Sequence, residues 1–115
     1  MDIISIIIDE LESITEHAMN TTLVDNTFFV FLSKKLIAKI DIKNEQNGKH
    51  IQGNVVEDFL AHYDISWPEI CGRIFRAIRK KLPEDKYRVD HDPYSYKIDY
   101  YISKFEDDEK KKRIK

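Results

Sequence analysis

The sequence predicts an α+β domain of element order αβββααββ, with a mainly antiparallel sheet and helices packed on it. Three observations lead there. Residues 3–18 repeat apolar side chains at helical spacing, residues 36–43 alternate at strand spacing, and Ser66-Trp67-Pro68-Glu69 opens a second strongly periodic helix. Runs of strands are followed by runs of helices instead of alternating with them, which separates α+β from a parallel α/β order.

The first helix places Ile3, Ile4, Ile7, Leu11, Ile14 and Ala18 on one stripe, with Ile8 at its edge. Asp2, Asp9, Glu12 and Glu16 fall on the opposite side, and Ile6 lies off the stripe, where exposure is expected. The Ile-rich start also suits a strand; the acids at helical spacing favour the helix. "TFFVFLS" (27–33) is apolar on both faces, which predicts a covered, central strand. In "LIAKIDIK" (36–43), Leu36, Ala38, Ile40 and Ile42 point one way and Ile37, Lys39, Asp41 and Lys43 the other. Asn47-Gly48 signals a tight turn into a short strand near 50–52.

Asn54 with Glu57 three residues on reads as a capping box for a helix whose stripe is Val55, Val56, Phe59, Leu60 and Tyr63. Ser66 with Glu69, and Pro68 in the first turn, start a stronger helix that should run to Leu82, before Pro83. Its stripe is Trp67, Ile70, Cys71, Ile74, Phe75, Ile78 and Leu82, with Trp67 expected in the core. Two strands near 86–91 and 94–103 close a single domain over 1–105; residues 106–115 read as a charged, solvated tail.

Of the 115 residues, 35% are charged and 42% apolar, with three Gly and three Pro. That is a globular composition, neither disordered nor loop-rich. A single Cys71 excludes a disulfide framework within one copy and a Cys-rich zinc site. The longest apolar run, residues 3–8, is too short to span a membrane and has no Lys or Arg before it. The expectation is a cytoplasmic protein of the host-cell interior, without membrane association or cofactor. The net charge of −2 conceals a partition: residues 1–25 carry six acids and no Lys or Arg, whereas residues 66–89 carry seven bases and three acids. An electrostatic partner would therefore meet one face, not the whole molecule.

Four constellations could carry chemistry. Asp90-His91-Asp92 could suggest a metal or acid/base site. On an extended chain, however, Asp90 and Asp92 point away from His91, and Pro93 suits a turn, so a hairpin tip is the expected reading. His17, His50 and His62 show no metal-ligand spacing. Asp25 followed by Asp41-x-Lys43 has the order of a PD-(D/E)xK nuclease, in which two carboxylates hold Mg²⁺ and the lysine helps activate water. Any amphipathic strand shows the same Asp-x-Lys, and no Pro precedes Asp25, so no enzymatic activity is expected. Arg73, Arg76, Arg79 and Lys80 share the outer face of the third helix. With a preceding helix and a following hairpin they could form a winged-helix-like nucleic-acid binder. That face holds no Asn, Gln or Ser to read base edges. Tyr94, Tyr96 and Tyr100 should cover the core, leaving Tyr101 on the other face as a partner contact.

The "LIAKIDIK" strand, "KLPEDKYRV", "YKIDYYISKF" and the basic end together resemble the C-terminal part of a phage-encoded type II anti-CRISPR protein, over residues 36–113. That relative has a long basic N-terminal tail where this chain has an acidic helix. The resemblance implies a stoichiometric inhibitor of a Cas9-type nuclease, without a cofactor, acting on the protein or its guide RNA complex. The basic face would meet RNA, and Glu12 and Glu16 would lie in an acidic surface that mimics nucleic acid.

Overall fold

A computed structural model describes residues 2–83, 86–91 and 98–104. In chain order these form α1 (Ile3–Thr15), β1 (Asn20–Val24), β2 (Thr27–Leu32), β3 (Lys35–Glu45), β4 (Gly48–Val55), α2 (Glu57–His62), α3 (Trp67–Lys81), β5 (Tyr87–His91) and β6 (Ile98–Lys104). The α+β class and the antiparallel sheet are as the sequence predicts, with one strand more. All six strands join one sheet in the order β1-β2-β3-β4-β6-β5, every pair antiparallel. Helices α1 and α3 lie side by side across one face. Among the described residues no helix is long and apolar enough to cross a membrane.

The core lies between that helix pair and the sheet. Ile7 and Leu11 of α1, Ile70, Ile74 and Ile78 of α3, and Val30, Ala38, Ile40, Ile51, Ile98 and Tyr100 of the strands are sealed from solvent or nearly so. Their spacing follows from geometry: period 3.6 on the helices and period 2 on the strands aim all of them into one layer. Ile6 is buried too, against the expectation of exposure. Its helix packs on a neighbouring helix as well as on the sheet, and two contact directions widen the buried stripe. Trp67 is only partly buried, because it opens α3 at the rim of the core.

Several boundaries differ from expectation for local reasons. Helix α1 stops at Thr15, and Ala18 is exposed beyond it. Glu16 takes a left-handed conformation (φ 60°), the Thr15 hydroxyl accepts the His17 N–H, and the Glu12 carboxylate accepts the Met19 N–H at 2.7 Å. These bonds redirect the chain into β1. The β3–β4 turn is Gln46–Asn47, and Gly48 already pairs with Glu45 and Ser103. Asn54 is held in the ladder opposite Lys39, so it cannot cap α2; Val56 is the N-cap and makes no side-chain bond. The α3 start is as expected: Ser66 accepts the Glu69 N–H, with Pro68 in the first turn.

Strand β2 pairs on both edges, but the helices cover only one of its faces, so the expectation of full cover is corrected. Phe29 points to the other face, where the Lys39 ammonium sits 5.6 Å from its ring. Val30 pairs with Ala38 while Phe31 pairs with Leu36, so Ile37 is the extra residue of a bulge. Ile37 and Ala38 are both buried as a result. The β2–β3 turn holds Ser33 (φ 50°) and Lys34 (φ 69°) in the left-handed region, which a side chain disfavours by about 1–2 kcal/mol per residue. Lys34→Gly should therefore raise stability by about 0.5–1 kcal/mol after glycine's own entropy is counted. A thermal melt checks this, and an unchanged or lowered midpoint would show that the turn is unstrained.

Candidate functional site

The helices leave the second face of the sheet uncovered, and the register lays its side chains out in rows. The first row runs Thr22, Phe29, Lys39, Asn54; the second Val24, Thr27, Asp41, Gln52, Asp99; the third Lys43, His50, Tyr101, Asp90. Directly opposed residues in antiparallel strands share a face, so each row is a line of neighbours.

At the centre stands His50. Its Nε2 lies 2.7 Å from the Asp99 carboxylate, and its Nδ1 lies 4.0 Å from Glu45. Its ring stacks on Tyr101 at 4.0 Å between centroids, inclined by 12°. The His50 side chain is 14% exposed, whereas Tyr101 is 46% exposed. A carboxylate thus fixes the imidazole, and the imidazole fixes the tyrosine ring. The other acids of this face also have partners: Thr27 donates its hydroxyl to Asp41, and Arg88 pairs with Asp90 at 2.9 Å. The result is a surface whose acids are paired and on which Tyr101 stands half-exposed, stacked on His50.

The sequence candidates distribute as follows. Tyr101, Asp41 and Lys43 all lie on the uncovered face. Asp25 does not join them; it is exposed in the β1–β2 turn and borders a groove with Ile3, Leu23, Phe28 and Ile42. Asp90 and His91 point to opposite faces as expected, with His91 against Phe75 and Tyr100; Asp92 lies outside the described residues, as do Tyr94, Tyr96 and the 106–115 tail. Among the described residues, no three His, Cys, Asp or Glu side chains are arranged to hold a metal ion. Arg73 leaves the basic face: its Nε donates to Glu10 of α1 at 2.8 Å. Arg76, Arg79 and Lys80 are exposed on α3, and the Arg79 guanidinium lies 5.8 Å from the Phe75 ring. Glu12 is engaged by Met19, and Glu16 is exposed at the end of α1.

Two groups beneath the sheet are chemically quiet. Burial pushes the Cys71 thiol above its usual pKa, which keeps it protonated and a poor nucleophile. Tyr100 donates its hydroxyl to the Cys71 carbonyl, and its own pKa is raised, first by burial and then by Cys71. The residue that sequence reasoning missed is His50. Its role depends on Asp99 and Tyr101 arriving on a strand nearly fifty positions later, and no local spacing encodes that.

Comparison with protein-family models, with curated proteins and with solved structures found no match.

Proposed function

We propose that this chain is a non-enzymatic binding protein that acts by direct contact, with the uncovered face of the sheet as its contact surface. One observation carries the reading: Tyr101 stands half-exposed but stacked on His50, which Asp99 anchors in turn. A pre-ordered tyrosine offers a large amphipathic contact at little entropic cost, and tyrosine is enriched among the residues that dominate binding energy. In the narrower form that the anti-CRISPR resemblance supplies, the partner is a Cas9-type nuclease or its guide RNA complex. A second reading is favoured by Arg76, Arg79 and Lys80 on the outer side of α3: contact with nucleic acid through that helix.

Affinity for a Cas9-type nuclease, with and without guide RNA, separates these readings at two salt concentrations. Tyr101→Ala should weaken binding by about thirtyfold or more, the loss expected at a central contact of about 2 kcal/mol. Arg76→Glu with Lys80→Glu should change it far less. Loss only in the charge reversal, with strong weakening by salt, moves the site to α3. No binding to the nuclease rejects the anti-CRISPR form. A partner recovered from host lysate after nuclease digestion, and lost in Tyr101→Ala, would still support the contact role.

A further inference from the structure

We propose that β1 is a self-association edge, pairing antiparallel with β1 of a second copy about Thr22 and joining two sheets into one. Among the described residues the sheet has two edges, β1 and β5. Natural edge strands are blunted by charge, proline, bulges or a covering element. β5 carries charged Arg88 and Asp90. β1 has none of these devices: Asn20-Thr21-Thr22-Leu23-Val24 is uncharged, has no proline, keeps regular register with β2, and is exposed at all five positions.

Among the described residues, three large hydrophobics are exposed, and two are adjacent here: Leu23 at 56% and Val24 at 52%. They point to opposite faces, Leu23 with Phe28 towards the helix side and Val24 with Thr27 away from it. A covering helix would reach only one of them. Another strand alongside shields both and satisfies the unpaired backbone groups of the edge.

The occupant follows from complementarity. Centred on Thr22, two β1 strands set Thr22 against Thr22, Thr21 against Leu23, and Asn20 against Val24. No charge meets another, and threonine pairs and β-branched neighbours are favourable across strands. A β1–β1 contact also closes on a twofold axis, whereas β1 on β5 would propagate into an open filament. On α1, Glu10 faces α3 through Arg73, and Ile8, two residues and about 200° away, lies on the flank away from α3. That isoleucine is half-buried against the core, and Leu23 lines a groove with Ile3 and Ile4 of the same helix. Five residues a side bury less than the roughly 800 Å² per partner of a standard interface, so the dimer is weak and concentration-dependent.

Sedimentation velocity of the full chain from about 10 μM to about 1 mM tests this, over the range a small interface populates. The wild type should move from one copy to two. Thr22→Lys, which places two ammonium groups face to face at the centre, should stay monomeric with an unchanged melting midpoint. Tyr101→Lys, on the same face but four strands away on β6, should dimerise like the wild type. Thr22→Cys should form a disulfide-linked dimer on oxidation, since the native Cys71 is buried; this decides the matter if Thr22→Lys folds poorly. A wild type that is monomeric throughout, a Thr22→Lys dimer of undiminished strength, loss of the dimer only in Tyr101→Lys, or no Thr22→Cys cross-link overturns the proposal.

Discussion

Ile74→Ala is expected to lower the unfolding free energy by about 2–5 kcal/mol, the range for emptying a sealed aliphatic site. Ile74 is at 0% exposure in the middle of α3. Close neighbours are buried on the same helix, and Tyr100 of β6 ties the sheet to the preceding turn through the Cys71 carbonyl. That bond and the Phe75 contacts with His91 and Tyr100 hold α3 in place, so the cavity can collapse only in part. The loss is a large share of the 5–15 kcal/mol typical of a domain. Trp67→Ala should lose less despite the larger side chain, because Trp67 is only partly buried. Denaturant unfolding of both variants checks the order; a greater loss for Trp67 would put the anchor of α3 at its first turn.

Gly53→Val should cost about 3 kcal/mol or more, at the upper end of overpacking effects. Gly53 pairs with Ile40 on one side and Ile98 on the other. A Cβ there would lie 2.6 Å from the Lys39 carbonyl oxygen and 2.8 Å from Ile40 Cδ1. The first of these is backbone and cannot rotate away, so relief requires β3 and β4 to separate. Gly53→Ala should fall between the wild type and valine. Equal midpoints for all three chains in a thermal melt would mean that the two strands have slack.

What could be read from the sequence was what a local period encodes. Residues 38–43 gave a strand with its faces assigned, although the bulge at Ile37 breaks the alternation predicted for Leu36 and Ile37. Ser66, Pro68 and Glu69 gave the start of α3, because cap chemistry is contained within four residues. Strand β1 was missed because it is exposed on both faces: without burial there is no alternation for the residues to record. The extent of β4 was underestimated because Gly48 and Gly53 have poor strand propensity. Their value lies in letting neighbouring backbones approach, which only the assembled sheet reveals. The same holds for the uncovered face. Tyr101 was identified by counting along its own strand, whereas the His50–Asp99 bond beneath it joins residues that only the β4–β6 register brings together.

That register also constrains the order in which the chain can fold. Strands β1 to β4 form by successive hairpins, each between sequence neighbours, so their contacts are local and quick to close. β6 lies between β4 and β5. β5, although it is made first, cannot enter the sheet until β6 has docked. During synthesis from the N-terminus, the β4 edge and the covered face around Ile51 must wait for residues 98–104, and α3 has no complete floor until then. The slow step should therefore be insertion of β6 together with closure of α3 over Tyr100. Amides of β5 and β6 should gain protection from hydrogen exchange after those of β2 and β3, and the transient meander, open at β4, is the species most exposed to aggregation.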